Sequence, residues 1–319
     1  MKQLRKDLMF AVVMGMVIPG MLLNFAVSVW NRAVESVQEP EEDPVGVSVQ
    51  PVLIRDGQGN VSQEQMEDYL VGVVLAEMPA WFEQEALKAQ AVVARTYGAK
   101  AYSTGGKHGD GSVCTSPGCC QGWISEAAYL QQGGSPDQVE KIRNAVYATT
   151  GQVLSYNGEL IEATYFSCSG GSTEDAAAVW GTAFPYLQAV DSPGEEDAAY
   201  YEDEKIFAPE QVEEALGIRL SGNPSGWVSA VSFTQGGGVD TIAIGGTYFT
   251  GTEIREKLGL RSTAFSVYAT DDAIAVTTRG YGHRVGMSQY GADAMAALGH
   301  TYDEILSHYY RGTELTQLP

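Results

Sequence analysis

A chain of 319 residues that is 44% hydrophobic and 18% charged has a globular composition, with enough length for one large or two ordinary domains; it does not read as disordered. Its formal net charge of −21, from 19 Lys and Arg against 40 Asp and Glu, would repel phosphate over most of the surface and excludes nucleic acid as an expected partner.

At the N-terminus Lys2, Arg5 and Lys6 precede an uncharged stretch from Leu8 to Trp30, closed by Arg32. A cleaved signal peptide is the alternative, with Ala26 and Ser28 as a small-residue cleavage site, but the apolar run is longer than the usual core of such a peptide. Residues 1–32 are therefore expected to be a cytoplasmic tip and a single transmembrane anchor, with the rest of the chain extracytoplasmic. Pro19 and Gly20 are compatible with a span, since both are tolerated in membrane helices. The acidic residues 33–46, with Pro40 and Pro44, read as a solvated linker, and residues 47–319 as the folded domain.

Residues 47–60 read as a strand closed by a Gly-rich turn. Ser62 and Gln65 have capping-box spacing, and Met66, Tyr69, Leu70, Val73 and Val74 recur at helical intervals, which predicts a helix to about Ala76 with Glu77 at its end. Pro79 interrupts the pattern. A second helix follows, its packed stripe formed by Ala86, Leu87, Gln90, Ala91, Val93, Ala94 and Tyr97. Lys88 and Arg95, seven residues apart, share one face of it, where a solvated surface or ion pairs with the acids of residues 83–85 are the simplest expectation. Glu77 has two readings. It is either a capping acid for the second helix or a carboxyl desolvated among Val74, Leu75, Met78 and Trp81, whose raised pKa would let it donate a proton near neutrality. On these residues alone the capping role is the simpler.

Three of the four cysteines lie in "KHGDGSVCTSPGCCQGW", where His108, Cys114 and Cys120 are each separated by five residues. Such a donor set suits zinc, and an extracytoplasmic disulfide is the competing expectation. Two thiolates fit a structural rather than a hydrolytic zinc, and the chain has no HExxH pattern. Cys119 reads as a spare thiol beside Cys120, and Cys168 as an odd thiol or an approach to the metal. Further on, residues 163–181 read as a strand entering a Ser/Gly-rich loop, and the acidic residues 191–216 as an insertion that ends in a helix and shapes one wall of a groove. Three segments, 227–237, 239–251 and 265–280, read as consecutive strands with Gly-rich or Asp-rich turns, and 280–310 as a Gly-rich loop followed by two helices. The expected class is α+β, a helical region carrying Glu77 packed beside a β-rich region.

Three blocks, "VVLAEMPAWFEQEALKAQAVVARTY", "ATYFSCSGGSTE" and "RGYGHRVGMSQYGADAMAALG", with "GTEIREKLGLRSTAFSV" between the last two, resemble the domain of the stage II sporulation protein D family, in the family's order and over nearly the whole chain after the linker. The resemblance implies a membrane-anchored lytic transglycosylase. Such an enzyme cuts the β-1,4 bond between N-acetylmuramic acid and N-acetylglucosamine in peptide-stripped peptidoglycan during sporulation and leaves 1,6-anhydro ends. It implies Glu77 as the single acid/base, because the muramoyl 6-hydroxyl is the nucleophile; a hydrolase would show a second carboxylate, for which Glu162 and Glu174 are candidates. It assigns Lys88 and Arg95 to the lactyl carboxylates and Tyr165, Ser167, Ser169, Ser288, Gln289 and Tyr290 to sugar hydroxyls, with His283 in an exposed loop. Arg284 stands where the family commonly has Gly and is expected to add a carboxylate contact or narrow the groove. Cys168 stands where the family often has Thr. Some members resemble this chain in a zinc-binding His and Cys pair at the cysteine loop, which favours zinc on His108, Cys114 and Cys120. The implied partners are glycan strands, a stem-peptide amidase and other sporulation membrane proteins. A zinc-dependent amidase or peptidase and a non-catalytic, amidase-enhancing binding module are the alternative functions.

Overall fold

The computed structural model describes residues 51–270 and 272–318. The expected anchor, linker and first residues of the folded domain lie outside that range; among the described residues no helix is long and apolar enough to cross a membrane.

The architecture is α+β with two hydrophobic cores. The first opens with strand β1 (Pro51–Arg55), paired antiparallel with β2 (Val61–Gln65) and, on its other edge, parallel with β3 (Ser112–Cys114). Ser62 and Gln65 thus belong to a strand: Ser62 pairs with Ile54, and Gln65 flanks the following helix without a side-chain cap, which corrects the expected capping box. The residues "VSQEQ" carry no apolar alternation and are exposed, so pairing with β1, a tertiary effect, decides their state.

Helix α1 (Met66–Glu77) is buried almost all round, with Met66, Tyr69, Leu70, Val71, Val73, Val74 and Leu75 in the core. It packs against α2 (Gln84–Thr104), which ends on Gly105 at φ 88°, the left-handed stop that glycine adopts without cost. Helices α3 (Glu126–Gln131) and α4 (Pro136–Ala148) follow; α4 has a Ser135–Gln138 capping box with Pro136 at its first turn and packs across α1 and α2. Strand β4 (Gln152–Tyr156) pairs with β5 (Glu159–Leu160) and takes the C-terminal strand on its other edge. Short strands β6 (Tyr165–Phe166), β7 (Gly171–Ser172) and β8 (Asp191–Ser192), with helix α5 (Ala176–Trp180) between the last two, carry the Ser/Gly-rich loop back over the first core.

The second core lies under two three-stranded sheets. Strand β9 (Glu202–Phe207), helix α6 (Pro209–Leu216) and strands β10 (Val228–Phe233), β11 (Val239–Ile244) and β12 (Thr247–Thr250) come first, then helix α7 (Gly251–Leu258) and the hairpin β13 (Ala264–Ala269) with β14 (Ile274–Arg279). β10, β11 and β12 form one antiparallel sheet; β13, β14 and β9 form the other. Val212, Ile242, Ile254, Phe265 and Val276 fill the space between them. The acidic segment of residues 191–216 is thus less an insertion than an integral edge, since β9 pairs along the whole of β14. The chain then returns to the first core through β15 (Met287–Ser288), parallel to β6, helices α8 (Gln289–Ala297) and α9 (Tyr302–Tyr309), and β16 (Glu314–Gln317) on β4.

Candidate active site

Glu77 ends α1 where Met78 leaves helical geometry, beside the unpaired carbonyls of the last turn. Burial withdraws its carboxyl from water and raises its pKa, opposed by the Gly122 N–H, which donates to Oε1 at 2.5 Å, and by hydrogen bonding to Tyr165 and Gln289. The negative end of the helix dipole acts in the same direction as burial.

Two glycines let the segment after the cysteine loop lie this close. A Cβ on Gly72 would meet Trp123 Nε1 at 2.3 Å, and the Ile124 N–H donates to the Gly72 carbonyl at 3.1 Å, so α1 accepts the crossing chain only at glycine. A Cβ on Gly122 would stand 2.9 Å from Glu77 Oε1. Gln121, between loop and acid, accepts from the Tyr165 hydroxyl at 3.2 Å and donates to Tyr69 Oη at 3.3 Å.

Glu77 stands at the junction of two cavities. One, of about 740 Å³, is also lined by Tyr97, Lys107, Tyr165, Trp180, Phe184 and His283. The other, of about 340 Å³, runs past Met78, Pro79, Phe82, Tyr200 and Tyr290. Glu77, Ser167 and Gln289 border both. Aromatic rings continue along the second arm, Tyr290 lying 5.0 Å from Phe82 and 6.3 Å from both Trp81 and Tyr200 between ring centroids; Trp81 is 63% exposed. The other carboxylate on the first cavity, Glu162, is held by Lys100 at 2.8 Å.

His283 lies between Phe166 and Trp180, at 5.6 and 5.3 Å, with Nδ1 accepting the Val285 N–H at 3.1 Å. Burial, reinforced by Arg255, lowers its pKa to about 4, so it is neutral at physiological pH.

The structure thus gathers Glu77, Tyr165, Ser167, His283, Gln289 and Tyr290 at the cavities, and corrects five other expected substrate contacts. Arg95 is fully buried: Nε and Nη2 bind the two oxygens of Glu67 at 3.0 and 2.5 Å, and the guanidinium also reaches the carbonyls of Val146 and Gln152, so no lactyl carboxylate can meet it. Lys88 lines neither cavity; it pairs with Glu85 at 2.6 Å and sits over the Tyr302 ring. Ser169 is buried and donates to Glu195. Ser288 is buried as the N-cap of α8, accepting from the Gly291 N–H. Arg284 is buried too, paired with Glu174 at 3.2 Å and donating to the carbonyls of Ser169, Ser172 and Gly236. Its φ of 64° lies in the left-handed region, where glycine is favoured, and here the four contacts offset the strain. Glu174 is thereby committed to the core and does not face Glu77 as a second carboxylate.

All four cysteines of the chain are free thiols; three of them lie in the cysteine loop, where the donor atoms of His108, Cys114, Cys119 and Cys120 lie within 4.8 Å of one another. Cys119, expected to be spare, belongs to the cluster. Cys168 does not; it is buried and donates to Glu195 at 3.0 Å. Sequence reasoning also missed Gln121, Gly122, Lys107 and Trp180. The "CCQGW" string was the available signal for the first two, because a glycine next to conformationally tied cysteines marks a close approach.

One desolvated carboxyl thus stands at the junction, with open space on either side of it. The family model described as stage II sporulation protein matches residues 55–156, the part that carries Glu77 and the cysteine loop. Stage II sporulation protein D of Bacillus subtilis (strain 168) is 40% identical over 278 residues, 86% of this chain and 80% of that protein. The protein of the same name from Bacillus amyloliquefaciens is 38% identical over 282 residues, 87% of this chain and 80% of its own length. An amidase enhancer of Bacillus subtilis (strain 168) is 30% identical over 305 residues, covering 77% of this chain and 40% of the enhancer. The chain belongs to the stage II sporulation protein D family.

Proposed function

We propose that this protein is a lytic transglycosylase of sporulation that cleaves the β-1,4 bond after N-acetylmuramic acid in peptide-stripped peptidoglycan. The observation that carries the reading is Glu77, one desolvated carboxyl at the meeting point of two cavities, with Glu162 neutralised by Lys100 and Glu174 buried with Arg284. Burial favours the protonated form that a general acid needs. Glu77 gives its proton to the glycosidic oxygen as the bond to muramoyl C1 breaks. The same carboxylate then accepts the proton of the muramoyl 6-hydroxyl while that oxygen bonds to C1, closing the anhydro ring. No water is consumed and the acid is regenerated. Inverting and retaining hydrolases use a second carboxylate opposite the first.

Gly122 and Gln289 orient the carboxyl, and Tyr165, Ser167, His283 and Tyr290 offer hydrogen bonds or apolar faces to sugars in the two arms. Tyr200 and the partly buried Tyr290 line the smaller arm, and the exposed Trp81 stands beside Tyr290, which together offer aromatic faces on which pyranose rings stack. With Lys88 and Arg95 committed elsewhere, Lys107 is the cation on the wall of the larger cavity; its Nζ donates to the Cys119 carbonyl and keeps further N–H groups for a lactyl carboxylate. The N-terminal apolar segment would anchor the enzyme in the cell membrane with the domain outside, working beside an amidase that removes stem peptides. His108, Cys114 and Cys120 would hold zinc, whose chemistry here is structural; the soft donor set and the absence of a disulfide fit it.

The likeness to an amidase enhancer favours a second reading, a glycan-binding module that stimulates an amidase without cutting. Incubating the full-length protein with peptide-free glycan strands and identifying the products by mass spectrometry separates the two. Anhydromuramoyl ends support cleavage by this chain, unchanged strands support the binding module, and released peptides from intact peptidoglycan would indicate a zinc amidase.

A further inference from the structure

The buried face of α2 contains an amide that the core does not explain. Gln90 is fully buried, yet its Nε2 has no hydrogen-bond partner among the described residues. A leucine there would fill nearly the same volume without leaving a buried N–H unpaired, so the amide is kept at a cost in stability. Its oxygen does have a partner. Gln90 Oε1 accepts from Gln289 Nε2 at 3.4 Å, and Gln289, the first residue of α8, is 6% exposed, borders both cavities and hydrogen-bonds Glu77.

We propose that, in the transglycosylase reading on which this rests, Gln90 is a positioning residue that holds the Gln289 amide with its NH2 group toward Glu77. Gln90 lines neither cavity and acts through Gln289. A primary amide has two N–H donors on nitrogen and an acceptor oxygen, and a half-turn about its last torsion exchanges the two ends. A protonated Glu77 tolerates either end. Once the carboxyl has given up its proton it can only accept, and the oxygen of Gln289 would then repel it. With the Gln90 oxygen alongside, turning the Gln289 oxygen inward sets two acceptors together, so the nitrogen stays there, one N–H for Gln90 and one for Glu77. The donor is in place before the proton leaves, and nothing has to reorganise as negative charge develops on the carboxylate. The support is firm, since Gln90 stands within a 21-residue helix that is buried along most of this stretch.

The test uses full-length protein on peptide-free glycan strands, with anhydromuramoyl ends counted by mass spectrometry and melting followed by tryptophan fluorescence. Gln90→Leu should melt at the parent's temperature or above it. Its kcat should fall about tenfold with KM near the parent's, a part of the roughly hundredfold loss that removing a whole oriented donor brings. In a Gln289→Ala background, itself slow, Gln90→Leu should lower kcat no further, because the residue through which it acts is gone. Gln90→Met, unbranched like glutamine, repeats the measurement should leucine pack badly. Variants that cleave as the parent does, that lose as much activity in the Gln289→Ala background as outside it, or that both melt well below the parent, assign Gln90 to packing and overturn the proposal while the transglycosylase reading stands. A parent that makes no anhydromuramoyl ends overturns that reading and this role with it.

Discussion

Replacing Arg95 with Met tests whether that cation belongs to the core or to the substrate. In the structure it is fully buried and donates to both oxygens of Glu67, to Thr149 Oγ1 and to the carbonyls of Val146 and Gln152. Methionine fills much of the volume but leaves Glu67, itself 4% exposed, with the Gly151 N–H at 3.2 Å as its remaining donor. Removing one partner of a buried ion pair costs about 3–5 kcal/mol, against a total stability of about 5–15 kcal/mol for a typical domain. With a urea dependence of about 2.5 kcal/mol/M, the unfolding midpoint should fall by about 1–2 M. The double variant Arg95→Met with Glu67→Gln should recover part of the loss, because the uncompensated charge is gone. Urea titrations of the full-length parent and variants, followed by tryptophan fluorescence, measure both. A single variant that loses less than about 1 kcal/mol of stability while binding peptide-free glycan more weakly would refute the core assignment.

Lys88→Gln removes a partly exposed pair with Glu85 and should cost less than about 1 kcal/mol, with preference for peptide-free over peptide-bearing glycan unchanged in a binding titration. Gly122→Ala places a methyl 2.9 Å from Glu77 Oε1 and should slow cleavage by about tenfold or more with little change in melting temperature. Cleavage should fall as pH rises through the raised pKa of Glu77, because the reaction starts from the protonated acid; a rate that climbs steadily into alkaline pH would argue against it. The same shift has a stability consequence. The folded state holds this proton more tightly than the unfolded chain, so the contribution is fully present below the unfolded pKa and is lost as pH rises through the folded one. Glu77→Gln should therefore melt higher than the parent at about pH 8, and the advantage should vanish near pH 3.

Helices α1 and α2 were legible because their apolar residues recur at helical spacing and Pro79 separates them, and that alone put Glu77 at a helix end. The glycine-marked strands from residue 228 onward were legible for the same local reason. Residues 61–65 were not, since an exposed polar pentapeptide takes its state from the strand beside it. Cation placement was beyond local pattern altogether: Arg95 meets Glu67 at 28 residues' separation and Arg284 meets Glu174 at 110, and nothing in either neighbourhood records the partner. The nearness of Cys119 to the other donors was not legible, because it depends on the turn in which the Cys119 and Cys120 N–H groups donate to the Ser116 carbonyl and both sulfurs come to one side.

The most direct test of Glu77 as a lone acid/base is cleavage of peptide-free glycan in heavy-oxygen water by the full-length protein. The new muramoyl ends should carry no heavy oxygen and weigh one water less than a hydrolysed end, and Glu77→Gln should yield none of them. Heavy oxygen at C1 of the new ends would mean that water is the nucleophile, and a second carboxylate would then have to be found.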